Sequence, residues 1–169
     1  MLLAAEGVTI LRIRLLLTPH VFIGMLLVPP ILLKIGSTTY RFARYYLGTQ
    51  DYREKGPPPL ALRLLGPILV LLTGALFVSG IALLLGPISW RHGLLFVHKA
   101  SFILWFGAMV VHVLGHFLET ARLAPRDWLR STRRDVEGAD TRLWLLAATI
   151  LAGVLLGLAT LPSVGSWKM

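Results

Sequence analysis

Four long apolar runs separated by polar stretches dominate the sequence. They predict membrane spans at about 15–34, 64–85, 93–118 and 143–161, with longer polar connections at 35–63 and 119–142. Each run is long enough to cross the hydrocarbon core of a bilayer at a helical rise of about 1.5 Å per residue. We therefore predict an all-α integral membrane four-helix bundle, forming a single transmembrane domain over residues 1–169.

The distribution of basic residues predicts how the bundle is oriented. Of the 17 Lys and Arg residues, twelve lie in or beside the two longer connections and Lys99 lies inside the third span. The remaining four are Arg12, Arg14, Arg91 and Lys168. Because short loops rich in Lys and Arg stay in the cytoplasm, we predict cytoplasmic connections and both termini on the extracytoplasmic side.

Composition narrows the classes of function. Hydrophobic residues make up 56% of the chain, which favours lipid as the solvent of its surface. The net charge of +9 sits beside the apolar spans, so we interpret it as a topology signal and predict no nucleic-acid partner. Because the chain has no cysteine, disulfides, thiolate-held iron–sulfur clusters and cysteine-linked haem are excluded.

Histidines inside the spans are the candidates for chemistry, since an imidazole in lipid needs a partner. His20 lies in the first span, and His98, His112 and His116 lie in the third. His98 and His112 are fourteen residues apart, which places them on one helix face about 21 Å apart along the axis. That separation suits two haems, one near each leaflet.

His20 and His98 are expected to lie at the same depth in the membrane. Each lies six residues into its span, and both spans are predicted to run in the same direction, so the two rings lie at one level. We predict that they ligate one haem b from opposite sides. Gly24, one turn after His20, would leave space for the flat macrocycle.

At the depth of His112, near the inner leaflet, no other predicted span supplies a histidine. His112 lies fourteen residues after His98, and the residue fourteen positions after His20 in the first span is Lys34. Lys34 is therefore expected at the depth of His112, and we hypothesise an inner haem held by these two residues. Alternatively, Lys34 is a flanking positive charge or pairs with a propionate. His116 is a second possible ligand or propionate partner. A zinc site at His112 and His116 would need more ligands than the nearby Glu119 supplies.

With His20 in the first helix, and His98 and His112 fourteen apart in a later one, the chain resembles the b-type cytochrome membrane subunits of formate dehydrogenases, nickel-iron hydrogenases and related molybdenum enzymes. The resemblance implies a non-catalytic subunit that relays electrons between a separate catalytic redox subunit and membrane quinone. It also implies a multi-pass protein of the bacterial cytoplasmic membrane. Those families usually supply a further histidine from another helix, and no other span here has one.

Two other functions remain open. The first is a proton or ion pathway lined by His98, Lys99, His112 and His116, although no acidic residue lies inside a predicted span. The second is a membrane anchor subunit without a cofactor, which would tolerate replacement of His20 and His98.

Overall fold

The structure, a computed structural model, describes residues 2–47, 60–128 and 139–167. Every element in these ranges is helical: α1 (Leu2–Leu11), α2 (Ile13–Tyr46), α3 (Leu60–Leu85), α4 (Arg91–Trp128) and α5 (Ala139–Thr160). Two 3-10 segments, Ile88–Trp90 and Leu161–Trp167, precede α4 and follow α5. Helices suit apolar runs of this length because all backbone hydrogen bonds are made within the segment, as lipid requires.

Helices α2 to α5 each contain a segment long and apolar enough to cross a membrane. The all-helical class and the four apolar helices predicted from the sequence are therefore confirmed. The side of the membrane on which the termini lie stays a prediction.

The first predicted span is longer than expected and has a short helix before it. Helix α2 continues to Tyr46, and α1 folds back against it after a break at Arg12 (φ −134°, ψ 48°). Leu16 is also non-helical (φ −108°, ψ 20°), three residues before Pro19. A proline inside a helix removes a hydrogen bond and its ring presses on the preceding turn, which explains the non-helical backbone at Leu16.

The four spanning helices pack as two pairs. Helix α3 reverses at Gly86-Pro87 and packs along α4, whereas α2 packs along α5. In the first pair, the indole N–H of Trp105 donates to Thr73 Oγ1 at 2.9 Å. In the second pair, a side chain at Gly153 would overlap the Leu26 backbone, and one at Gly157 would meet the Phe22 ring at 2.8 Å. The two glycines therefore permit close approach of α5 to α2.

One apolar cluster joins the two pairs near the beginning of α2. Met25, Leu84 and Val164 are buried there, with partly buried side chains packed around them from α2, α3 and α5. At the same end, the guanidinium of Arg91 lies 4.1 Å from the centre of the Trp167 ring. The first residues of α2 and α4 and the segment after α5 thus share one end of the bundle.

Most large apolar side chains on the outer faces are exposed, including Leu71, Phe96 and Leu114, each more than 70% accessible. Apolar surface of this extent is not stable in water. It is the surface expected of a helical bundle in contact with lipid.

Candidate functional site

The structure brings His20 and His98 together where α2 and α4 begin. Their ring centroids are 6.3 Å apart and the ring planes are almost perpendicular, at 86°. Each ring lies seven residues after the first residue of its helix. Helices α2 and α4 do not pack along their described lengths, so the rings meet across the space between the two helix pairs. Both side chains are half-buried.

Helix α1 supplies two oxygen atoms to His20. Its Nδ1 lies 2.9 Å from Glu6 Oε1 and 2.9 Å from Thr9 Oγ1. The Thr9 hydroxyl donates its hydrogen to the Glu6 carbonyl at 2.6 Å, so its oxygen accepts from the imidazole. Because an ionised carboxylate also only accepts, Nδ1 of His20 carries the hydrogen. The lone pair of the neutral ring is then on Nε2.

Helix α3 holds His98 at Nδ1 by a hydroxyl and a backbone carbonyl oxygen. Its Nδ1 lies 3.1 Å from the carbonyl oxygen of Leu76 and 3.1 Å from Ser79 Oγ. The Ser79 hydroxyl donates to the Leu76 carbonyl at 3.0 Å, so both oxygens accept from the ring. His98 therefore also carries its hydrogen on Nδ1, and the lone pair of the neutral ring is on Nε2.

The two histidines are thus held in matching tautomers. On each side, a hydroxyl residue bonds to the carbonyl three residues earlier, and its oxygen receives the imidazole N–H. The second acceptor is the Glu6 carboxylate for His20 and the Leu76 carbonyl for His98. Among the described residues, the hydrogen bonds of both rings involve Nδ1 only. A histidine whose Nδ1–H is held by oxygen acceptors, with a lone pair on Nε2, is prepared to ligate a metal.

The separation of the rings also suits one metal ion between them. A metal–imidazole nitrogen bond is about 2 Å long, which gives about 6 Å between the centroids of two imidazoles on opposite sides of one metal. In the described part of the chain, no group of three or more His, Cys, Asp or Glu side chains is placed to hold a metal ion. A haem iron needs only two protein ligands because the porphyrin supplies the others. These residues fit a haem iron better than an ion held by protein alone.

Two glycines lie beside the pair. A Cβ atom at Gly80 would lie 3.1 Å from His98 Cε1. Because glycine has no Cβ atom, the His98 ring fits beside α3 at this position. At Gly24, a Cβ atom would lie 3.5 Å from Glu6 Oε1. The face of α2 that was expected to lie against a macrocycle therefore has the Glu6 carboxylate beside it.

The inner pair of His112 and Lys34 stays a prediction. The Lys34 side chain is exposed and His112 is half-buried. The side chain of His116 lies outside the described part of the structure. Lys99 and His92 are exposed near the beginning of α4.

Five groups of the site were missed in the sequence: Glu6, Thr9, the Leu76 carbonyl, Ser79 and Gly80. Glu6 precedes the predicted first span, so no pattern in the sequence places it beside His20. Ser79 is nineteen residues before His98, across the reversal between α3 and α4. The signal that could have indicated these partners was a polar residue within each apolar helix, Thr9 in α1 and Ser79 in α3.

No family model, curated protein or solved structure matches this chain.

Proposed function

We propose that this protein is a membrane b-type cytochrome in which His20 and His98 ligate one haem near the end of the bundle where α2 and α4 begin. The observation that carries the proposal is the approach of two imidazoles whose Nδ1–H groups are both held by oxygen acceptors. Such outer partners orient a ligating histidine and raise its basicity.

Ligation by two histidines favours electron transfer over catalysis. A bound haem would supply a one-electron redox centre, and an iron with six ligands has no position for a substrate. The residues of this chain would hold the iron, keep its ligands in one tautomer and limit the access of water. Electrons must then come from and pass to other molecules. We propose a separate catalytic redox subunit and membrane quinone as these partners, and the bacterial cytoplasmic membrane as the location.

An absorption spectrum tests the proposal most directly. The protein is purified in detergent from cells that make haem, and its spectrum is recorded oxidised and after dithionite reduction. We expect a Soret band and a reduced b-type α-band, with at least one haem per chain in a pyridine haemochrome assay. A colourless protein from such cells would refute the proposal.

A second haem, held by His112 with Lys34 or His116, is a separate part of the proposal. It rests on the fourteen-residue spacing from His98 and on the half-buried position of His112. The haem content of His112→Ala and Lys34→Ala variants tests it. Unchanged content and unchanged ligand spectra in both variants would leave one haem at His20 and His98 only.

A proton pathway is the second candidate function, and one observation favours it. Glu6 places a carboxylate 2.9 Å from His20, next to His98, so a carboxylate and two imidazoles adjoin each other at one end of the bundle. Chains of such groups are typical of proton relays in membranes. This function predicts a colourless protein and proton flux into liposomes that His98→Ala abolishes. A haem spectrum without such flux would favour the cytochrome.

A further inference from the structure

The two candidate haem ligands differ in the charge of the group behind them. His20 donates from Nδ1 to a Glu6 carboxylate oxygen and to Thr9, whereas His98 donates only to the neutral oxygens of Leu76 and Ser79. The geometry of the two sides is otherwise alike. The difference therefore isolates the effect of one negative charge.

Burying the Glu6 carboxylate costs free energy, which indicates that this side chain has a role other than packing. Its side chain is only 16% exposed, and Oε2 is buried without a hydrogen-bond partner in the described part of the structure. Removing a carboxylate from water is unfavourable unless a positive group or hydrogen bonds compensate it. The imidazole N–H of His20 supplies one hydrogen bond, and the charge gained by an oxidised iron on the far side of that ring would add electrostatic compensation.

Helix α1 is the element that makes this contact. The break at Arg12 turns α1 back along α2, so residues eleven and fourteen positions before His20 reach its ring. Thr9 is 5% exposed and its hydroxyl bonds to the Glu6 carbonyl, which holds the two residues in one turn. The carboxylate is therefore placed by a packed helix rather than by a free terminus.

We propose that Glu6 is a positioning residue that lowers the reduction potential of the haem, acting through His20. This inference rests on the proposed function. A carboxylate that accepts the Nδ1–H of a ligating histidine increases the electron donation of the ring and stabilises the more positive, oxidised iron. Thr9 fixes the direction of the ring without contributing charge.

The test compares midpoint potentials of the full-length protein in detergent. Glu6→Gln keeps an acceptor oxygen and removes the charge, so we expect full haem content and a higher midpoint potential. Loss of an outer partner of a metal ligand changes metal affinity by about tenfold or more. An effect of about tenfold on the oxidised form alone would change the reduction equilibrium by the same factor. For a one-electron couple, tenfold corresponds to about 59 mV.

Matched variants separate charge from structure. Glu6→Asp keeps the charge, and we expect a potential near that of the unmodified protein. Thr9→Val and Ser79→Ala each remove a neutral partner, one on each side, and should shift the potential less than Glu6→Gln. The low-spin ferric EPR signal should change with Glu6→Gln, because the donor strength of His20 changes. If Glu6→Gln does not accumulate, Glu6→Ala is measured with the same expectation.

Several results would overturn the inference. An unchanged potential in a haem-bearing Glu6→Gln variant would do so while leaving the cytochrome proposal intact. An equal shift in Thr9→Val would show that charge is not the cause. Loss of haem from Glu6→Gln would mean that Glu6 retains the cofactor rather than tuning it. An unmodified protein without haem would refute the proposed function and this inference together.

Discussion

The imidazoles of His20 and His98 lie 6.3 Å apart, each held at Nδ1 by a pair of oxygen atoms from a neighbouring helix. Neither oxygen pair comes from the helix that carries its histidine: α1 supplies the pair for His20, and α3 supplies the pair for His98. The site thus depends on four helices. Its properties can be tested one contact at a time.

Replacing either histidine should remove the haem. We expect His20→Ala and His98→Ala each to reduce haem content to near zero, because one remaining imidazole cannot complete two-sided ligation. The pyridine haemochrome assay measures this per chain. His92→Ala is the matched control, since His92 is exposed near the beginning of the same helix as His98, and it should keep its haem. Normal haem content in both test variants would exclude this pair as the ligands.

Gly80→Ala should weaken haem binding by displacing His98. The added Cβ atom would lie 3.1 Å from Cε1 of the ring, closer than ordinary contact, so the ring must shift from its oxygen partners. Disturbing the outer partners of a metal ligand costs about tenfold or more in affinity. Transfer of haem to an acceptor protein measures the loss rate. Gly74→Ala, on the same helix, meets nothing within 4 Å and should behave like the unmodified chain.

Gly157→Ala should destabilise the bundle without touching the histidines. Its Cβ atom would lie 2.8 Å from the Phe22 ring and 3.2 Å from the Phe22 carbonyl oxygen, so α5 must move away from α2. Overpacking of this kind costs about 1–3 kcal/mol. Unfolding by a denaturing detergent, followed by circular dichroism, gives the difference in free energy. If Gly157→Ala and the control Gly74→Ala unfold alike, close packing at Gly157 is not stabilising.

The orientation of the bundle can be tested with single cysteines, because the chain has none of its own. We expect Ser131→Cys, in the basic connection 119–142, to react with a membrane-impermeant thiol reagent only from the cytoplasmic side. Ser89→Cys, in the exposed 3-10 segment between α3 and α4, should react from the opposite side. These expectations follow from the retention of short basic loops in the cytoplasm. Labelling of both positions from one side would contradict the predicted topology.

The helical class and the four apolar segments could be predicted from the amino-acid sequence alone. Those features depend on the length and composition of local runs, which a chain in lipid can satisfy only by forming helices. Counting along two such runs also singled out His20 and His98, because depth in a membrane increases regularly with position in a helix. The same arithmetic selected His112 and Lys34, and that pair stays a prediction.

The groups that surround the two rings come from other helices and depend on how the helices pack. The break at Arg12 and Leu16, ahead of Pro19, turns α1 back so that Glu6 and Thr9 reach His20. The reversal at Gly86-Pro87 brings Ser79 and Gly80 to His98. Helical periodicity relates residues within one element, but it does not say which elements meet or where a kink redirects the chain. For that reason the histidine pair was predictable from the sequence, whereas the oxygen atoms that set its tautomers were not.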